Sequence, residues 1–257
     1  MQFQGQGRAL TKKGLKDACA SLDVEEPDIW AVLNVETRGF GFFPDRRPQI
    51  LFERHIFSQR TGRRYDSRFP DLSSKYPGGY AGGVAEYDRL KKAMTLDADA
   101  ALQSASWGIG QVMGFNYSAA GYETVASMVE EMVEDEDAQL RAMVEFIRNN
   151  GLSLALNHHE WTVFARGYGG KDFAKNDSDT RLAAAHAKFT AILPDLNLRR
   201  AQAALSYLGI SPGPIDGLRG RLTASALIRF QQKHRLPATG DLDRVTRSRL
   251  FALAWAK

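Results

Sequence analysis

The stretch Ile29-Trp-Ala-Val-Leu-Asn-Val-Glu-Thr37 decides how the N-terminal part of the chain is interpreted. Its apolar residues Ile29, Val32 and Leu33 recur three and four positions apart, which is the spacing of one face of an α-helix. Pro27 precedes the stretch, and proline is favoured at the start of a helix, where no backbone N–H is needed. The pattern therefore predicts a helix from Pro27 to Thr37 that packs one face into a core.

Glu36 lies on the buried face of this predicted helix, four residues after Val32 and three after Leu33. A carboxylate in that position costs free energy unless it is paired or protonated. It also lies in the last turn, where the negative end of the helix dipole opposes another negative charge. Both effects raise the pKa, as a general acid working near neutral pH requires. The alternative is a structural ion pair with a nearby arginine, from the set Arg38, Arg46, Arg47 and Arg54.

Helical periodicity continues along the chain, and alternating strand patterns are almost absent before residue 194. Helices are predicted over residues 8–23, 27–37, 52–59, 122–149, 153–166 and 179–193. The acidic run from Glu130 to Asp137 has helical spacing, so it is interpreted as a solvent-exposed face rather than a metal site. The fold class is therefore mainly α, with at most a minor sheet.

Two short glycine-rich segments contain residue types that suit carbohydrate binding. They are Ser106-Trp-Gly-Ile-Gly-Gln111 and Ala165-Arg-Gly-Tyr-Gly-Gly170. Glycine lets a backbone approach a ligand closely, an aromatic ring packs on the C–H face of a pyranose, and an amide bonds to its polar groups. Taken alone, the first segment is equally consistent with a loop before a helix, and the second with a buried structural tyrosine.

Together with Val35-Glu-Thr37, these segments resemble the three-motif pattern of goose-type lysozymes and soluble lytic transglycosylases. The blocks Glu36-Thr-Arg-Gly-Phe-Gly-Phe-Phe-Pro-Asp45 and Pro48-Gln-Ile-Leu-Phe-Glu-Arg-His-Ile-Phe57 resemble the N-acetylmuramidase family found in modular phage endolysins. This resemblance implies a lysozyme-like helical catalytic domain over residues 1–193. It also implies cleavage of the β-1,4 bond between N-acetylmuramic acid and N-acetylglucosamine in peptidoglycan. Gly169 stands where the superfamily usually has asparagine, so that polar contact is absent or supplied elsewhere.

The resemblance also assigns roles to individual residues. Glu36 is the expected general acid. The expected substrate contacts are Gln111 and Tyr168, with Trp107 and Tyr117 as weaker candidates. A protein that binds the wall without cleaving it is the alternative, and replacing Glu36 by glutamine distinguishes the two.

A second carboxylate is left open between Asp45 and Glu53. An inverting hydrolase needs its base about 6.5–9.5 Å from the acid, and a retaining enzyme needs its nucleophile at about 5 Å. Glu53 is equally interpretable as a structural ion-pair partner. A lytic transglycosylase needs one carboxyl group and forms 1,6-anhydromuramic acid ends, so this reaction is the alternative to hydrolysis.

Residues 194–257 form a second predicted domain, with Pro194 at the boundary. Asp216-Gly-Leu-Arg-Gly-Arg-Leu-Thr223 is typical of a turn followed by a helix capped by Thr223, and the segment from Gly240 to Thr246 repeats this pattern. Two half-repeats of about 30 residues predict a three-helix unit. The pattern resembles the peptidoglycan-binding domain that many wall hydrolases carry, so peptidoglycan is the expected partner. The candidate wall-binding residues are Asp216, Gly217, Arg244 and Arg247.

Charge is distributed unevenly between the two predicted domains. From Asp195 onward there are 11 basic and 4 acidic residues, a net +7, whereas the preceding 23 basic and 26 acidic residues give −3. A cationic C-terminal domain suits an anionic envelope surface, and the stretch from Leu250 to Trp255 is a candidate for insertion at a lipid interface. A solvated basic face is the alternative. Nucleic acid is not expected as a partner, because no base-reading motif accompanies the charge.

No cofactor or metal is expected. A zinc amidase or peptidase needs two or three suitably spaced ligands, and the chain has no His-Glu-x-x-His arrangement. His158 and His159 are adjacent, so in a helix they cannot both face one metal. The N-terminus has no apolar core of signal-peptide length, and no segment approaches the roughly 20 apolar residues of a membrane span. We therefore expect synthesis in the host cytoplasm and access to the wall only after the membrane is permeabilised. We also expect the protein to be a monomer.

Overall fold

Helices make up most of the computed structural model, which describes residues 2–37, 39–170 and 176–256. The helices are α1 (Lys12–Leu22), α2 (Glu26–Thr37), α3 (Arg54–Arg60), α4 (Glu86–Met94), α5 (Ala98–Gln103), α6 (Val125–Met132), α7 (Glu136–Asn149), α8 (Ser153–Asn157), α9 (Trp161–Gly169), α10 (Ser178–Ala191), α11 (Leu196–Tyr207), α12 (Arg221–Lys233) and α13 (Arg244–Ala254). The strands are β1 (Ile50–Phe52), β2 (Ala105–Trp107) and β3 (Val112–Met113). The mainly α fold class is confirmed. Within the described ranges, no helix is both long and apolar enough to cross a membrane.

The first two helices begin and end close to the positions that the sequence predicts. Thr11 caps α1, since its hydroxyl accepts a hydrogen bond from the backbone N–H of Gly14 at 3.0 Å. Asp23 ends this helix in the left-handed conformation, with φ of 55°. α2 starts one residue before Pro27 and ends at Thr37.

Two long helices predicted from apolar periodicity are wrong, because each is interrupted. The predicted helix over residues 122–149 is divided into α6 and α7. Asp135 is extended there and caps α7 by accepting a hydrogen bond from Ala138 N–H at 2.8 Å. The helix predicted over residues 153–166 is divided into α8 and α9, between which His159 has a φ of +57°. In both cases local backbone geometry ends a helix whose apolar period continues.

Residues 106–111 form a strand and a tight turn rather than a loop before a helix. β2 pairs antiparallel with β1 on one side and with β3 on the other. Gly108 starts the turn with a φ of +68°, and a Cβ there would lie 2.7 Å from the side chain of Gln139 on α7. The Gln139 side-chain oxygen accepts a hydrogen bond from Ile109 N–H at 2.8 Å. Glycine is therefore required where the turn is fixed against α7.

α2 passes through the core of the N-terminal domain. Its side chains Ile29, Trp30, Val32 and Leu33 are at most 1% exposed. α10 packs along it, and the Trp30 ring lies 6.3 Å from the ring of Phe189 on α10. Each such buried side chain contributes about 1.5–3 kcal/mol. This packing fixes the position of the C-terminal end of α2, which carries Glu36.

The C-terminal domain contains the predicted three-helix unit, α11 to α13, and its two half-repeats share a hydrogen-bond network. Gln202 accepts a hydrogen bond from Gly217 N–H at 2.8 Å and donates to the Thr223 hydroxyl at 3.1 Å. The same network with the same distances joins Gln231, Gly240 and Thr246. Thr223 is therefore a buried residue within α12 and not its cap, which is Gly220. The proposed division into residues 1–193 and 194–257 falls between α10 and α11.

A buried ion pair joins the two domains. Arg199 on α11 and Glu136 on α7 are both 0% exposed, and their two nitrogen–oxygen contacts measure 2.5 and 2.7 Å. Arg199 also donates to the backbone oxygen of Gly39, three residues after Glu36. The interpretation of residues 130–137 as an exposed acidic face is thus wrong at Glu136, whose charge is neutralised by the second domain.

The C-terminal end of the chain packs against the protein instead of being free to enter a lipid interface. Leu250 is 0% exposed and belongs to the small core of the C-terminal domain. The indole N–H of Trp255 donates to the backbone oxygen of Gln6 at 3.0 Å. The predicted insertion of residues 250–255 is therefore wrong, because insertion would break this core.

Candidate active site

Glu36 lies half-buried in the last turn of α2. Burial raises its pKa to about 7, although the guanidinium of Arg181 lowers it in part. A carboxyl group with this pKa is about half protonated at neutral pH and can donate a proton. The upward shift predicted from the sequence is found. Among the described residues, the arginine that acts on it is Arg181 of α10. Of the four arginines considered from the sequence, Arg38 lies outside the described residues.

The segment that contains Glu36 and the two glycine-rich segments, residues 106–111 and 165–170, meet at the turn between β2 and β3. The Thr37 hydroxyl, next to Glu36, donates to the backbone oxygen of Ile109 at 3.0 Å. The Tyr168 hydroxyl donates to the backbone oxygen of Gly110. Burial and the charge of Glu36 both raise the pKa of Tyr168 well above its ordinary value. The hydroxyl therefore remains protonated, close to the Glu36 carboxyl group.

The ring of Tyr168 is held between two phenylalanines. It stacks on Phe164 of the same helix with a centroid separation of 5.5 Å, and the ring of Phe146 meets it edge-on at 5.5 Å. Tyr168 is thus positioned from both sides before any substrate binds. Gly169, which departs from the superfamily pattern, forms the last residue of α9.

Arg181 is a site residue that the sequence did not reveal. Its guanidinium donates to the backbone oxygen of Val35 at 2.9 Å, at the C-terminal end of α2. A cation is favourable there because it offsets the negative end of the helix dipole. Nothing in its local sequence distinguishes Arg181 from other exposed arginines, since only the packing of α10 on α2 brings it to Glu36.

Gln111 uses its side-chain amide to brace the turn. Its oxygen accepts a hydrogen bond from the Ser106 hydroxyl at 2.7 Å, and its nitrogen donates to the backbone oxygen of Gly108 at 2.9 Å. Its backbone has a φ of +47°, which these bonds help to hold. The side chain is half-exposed, and a contact with the substrate stays a prediction.

Trp107 is wrong as a substrate contact. The side chain is 0% exposed, its indole N–H donates to the backbone oxygen of Leu102 at 3.0 Å, and its ring stacks on Phe3. The strand geometry of β2 directs it into the core, where no sugar can reach it. Tyr117 follows the 3-10 turn Gly114–Asn116 and packs half-buried against the core, so its role in binding stays a prediction.

The two candidates for a second carboxylate have different surroundings. Asp45 is occupied by Arg47, whose guanidinium lies 2.6 Å away and whose backbone N–H also donates to the carboxylate. Glu53 follows β1 directly, and both its oxygens accept hydrogen bonds from the Tyr80 hydroxyl at 3.0 Å. His55 lies 3.1 Å from one of them. Burial and, to a smaller extent, the negative charge of Glu53 raise the pKa of Tyr80 to about 12.

Two of the four candidate wall-binding residues have structural roles. Gly217 is buried, its φ is +73°, and its N–H and C=O groups bond to Gln202 and Asp195. It is therefore wrong as a wall contact. The Asp216 carboxylate accepts from Leu218 N–H at 3.0 Å and closes the same turn. Arg244 is exposed and Arg247 half-exposed at the surface of α13.

The fold and the site define a class: a lysozyme-like glycoside hydrolase with a glutamic acid at a helix end beside a small sheet. The chain belongs to the N-acetylmuramidase family, which it matches over residues 25–190. Residues 195–250 match a peptidoglycan binding domain. The Burkholderia AP3 phage endolysin, known from its crystal structure, is 38% identical, over 72% of this chain and 73% of that chain, with a TM-score of 0.65. Comparison with curated proteins gave no match. The chain is thus a glycoside hydrolase that acts on peptidoglycan, as the sequence predicted.

Proposed function

We propose that this protein is an endolysin that hydrolyses the β-1,4 bond between N-acetylmuramic acid and N-acetylglucosamine, with Glu36 as the general acid. The observation that carries the proposal is a half-buried carboxyl group whose pKa is raised to about 7. Tyr168 lies close to it, and the turn between β2 and β3 connects both to the sheet. A protonated carboxyl group in this place can protonate the leaving oxygen of a bound glycan.

Glu53 is the second carboxylate that we favour. Tyr80 and His55 hold it at the end of β1, whereas Asp45 is committed to Arg47. Tyr80 is 47% exposed and lies directly beside the carboxylate, so its ring can pack against a sugar. Glu53→Gln should abolish most activity on purified wall, and Asp45→Asn should leave most of it. The reverse order would assign the role to Asp45.

The role of Glu36 is tested by Glu36→Gln, with Glu26→Gln at the other end of α2 as the matched control. Loss of general-acid catalysis should lower the rate of wall hydrolysis by about 100-fold to 10,000-fold in Glu36→Gln only. Mass spectrometry of the wild-type digest should find reducing muramic acid ends. Undiminished lysis by Glu36→Gln would refute the catalytic assignment, and 1,6-anhydro ends would show a transglycosylase.

We also propose that the C-terminal domain meets an anionic envelope surface through Arg244, Arg247 and Arg249, which lie on one helix and are exposed or half-exposed. Replacing all three by glutamine should weaken lysis of intact permeabilised cells but spare activity on purified wall. The double variant Arg63→Gln, Arg64→Gln, which removes exposed charge from the other domain, should have little effect. Equal loss on both substrates would contradict a targeting role.

Two further proposals concern the state of the protein before lysis. We expect a monomer in solution, and sedimentation equilibrium would test it, with a dimer as the contradicting result. We expect synthesis in the host cytoplasm, followed by action on the wall once the membrane is permeabilised. Fractionation of producing cells would contradict this if the protein were found in the periplasm beforehand.

A further inference from the structure

Three side chains with metal-binding atoms meet at the end of α2 opposite Glu36. Asp28 lies in the first turn of α2, His159 two residues before α9, and His186 in α10. The Nε2 atoms of His159 and His186 lie 2.9 and 3.3 Å from the same Asp28 oxygen, Oδ1. The adjacent pair at 158 and 159 gives no sign of this group. His186 comes 27 residues after His159, so only the fold brings the two histidines together.

The donor atoms have the spacing of a tetrahedral site. All three lie within 4.8 Å of one another. Zn²⁺ bound at about 2.0–2.1 Å to nitrogen and oxygen donors places them roughly 3.4 Å apart, so only a small closure is needed. The other oxygen of Asp28 accepts a hydrogen bond from Glu25 N–H at 2.9 Å. Such a bond from the surrounding shell fixes the orientation of a ligating carboxylate.

The two imidazole rings lie side by side and face the same oxygen of Asp28. Their ring centroids are 4.2 Å apart, and both nitrogens point at one carboxylate oxygen. Two imidazole nitrogens and one carboxylate oxygen, all of which can donate a lone pair to a cation, therefore surround one small volume. A divalent cation would accept a lone pair from all three groups at once. It would also neutralise Asp28, whose residue is 3% exposed.

Trp161 and the local backbone hold the two histidines in place. Trp161 stacks on His159 with ring planes 15° apart and a centroid separation of 5.1 Å, and it lies 5.3 Å from His186. His159 keeps a φ of +57°, a conformation that costs free energy in a residue with a side chain. The remaining open side faces solvent, because the His159 side chain is 43% exposed.

We propose that Asp28, His159 and His186 bind one divalent transition-metal ion, such as Zn²⁺, with water as the fourth ligand. The ion would tie together α2, the segment before α9, and α10. α2 and α10 carry Glu36 and Arg181, and the segment leads into α9, which carries Tyr168. The metal would therefore support the active site without taking part in the reaction. The proposal departs from the absence of metals expected from the sequence, and it does not depend on the catalytic role of Glu36.

The test is calorimetric titration of tag-free, chelator-treated full-length protein with Zn²⁺ and Co²⁺. One ion should bind per chain, tetrahedral Co²⁺ should give strong visible absorption, and the melting temperature should rise by about 5 °C at 100 times Kd. His159→Ala and His186→Ala should weaken binding at least tenfold, and His158→Ala, the exposed neighbour, should not.

Asp28→Asn removes the charge but keeps an oxygen that can accept the hydrogen bond from Glu25 N–H. Weaker metal binding by this variant would therefore not be explained by unfolding of the protein. The variant should melt like the wild type in chelator, yet bind at least tenfold more weakly. Absence of saturable binding by the wild type would overturn the proposal. Equal weakening by His158→Ala, or unchanged binding by Asp28→Asn and His186→Ala, would also overturn it.

Discussion

Replacing Arg199 by alanine should destabilise the protein more than any change at an exposed arginine. Arg199 bonds to both oxygens of Glu136 and to the backbone oxygen of Gly39, with no exposure to solvent. The alanine variant leaves the Glu136 carboxylate buried without its cation, although Leu10 N–H and Gly41 N–H still donate to it. Removing one partner of a buried pair costs about 3–5 kcal/mol.

The next residue in α11 provides a matched control. Arg200 is exposed and stacks on the rings of Phe251 and Trp255 at 4.2 and 5.0 Å. Arg200→Ala should cost at most about 1 kcal/mol. Both free energies of unfolding are measured by urea denaturation, followed by tryptophan fluorescence.

A double variant separates the value of the pair from the cost of breaking it. Arg199→Met combined with Glu136→Gln removes both charges, so it should recover a large part of the stability that Arg199→Ala loses. The reasoning would be refuted if Arg199→Ala cost no more than Arg200→Ala. It would also be refuted if the double variant were less stable than Arg199→Ala.

Three further predictions concern the active site and the wall-binding domain. Burial raises the pKa of Glu36 from 4.5 in the unfolded chain to about 7 in the folded protein. Between these two pH values the folded state binds this proton more tightly than the unfolded chain, so the free energy of unfolding falls as the pH rises from about 4.5 to 7. Glu36→Gln should therefore be more stable than wild type by about 1–3 kcal/mol at pH 8 and similar to it at pH 4; an equal difference at both pH values would contradict this. Gly108→Ala combines an unfavourable φ with a 2.7 Å clash, so it should lower both the stability and the rate of wall hydrolysis. Gly62→Ala, where φ is +60° and the surrounding space is open, should lower the stability slightly and leave the rate unchanged. Circular dichroism melts measure the stability, and turbidity assays measure the hydrolysis. Gln202→Ala and Gln231→Ala should each lower the free energy of unfolding by about 2–4 kcal/mol, because each leaves a buried glycine N–H and a threonine hydroxyl without this partner. Urea denaturation measures both losses, and unequal losses would show that the two half-repeats are not equivalent.

The features that local pattern determines could be predicted from the sequence. The helix of Glu36 has regular apolar spacing and a proline at its start, and the upward pKa shift follows from the face on which Glu36 lies. The half-repeats of the C-terminal domain were visible because their turns share glycine, aspartate and threonine at fixed positions.

The features that depend on distant contacts could not be predicted. Glu136 looks like one more member of an acidic run, and only α11 shows that its charge is buried and paired. Trp107 has the composition of a sugar contact, but pairing of β2 with two strands places it in the core. His159 and His186 meet because the turn between α8 and α9 carries one and α10 carries the other.

The pH dependence of kcat/KM on soluble peptidoglycan fragments tests most directly whether Glu36 is the general acid. This ratio reports ionisation of the free enzyme, and hydrolysis requires the protonated form of the group. The account predicts that the ratio falls tenfold per pH unit above an apparent pKa of about 7, the value that burial imposes on Glu36. An activity that stays constant from pH 6 to pH 9 would contradict it.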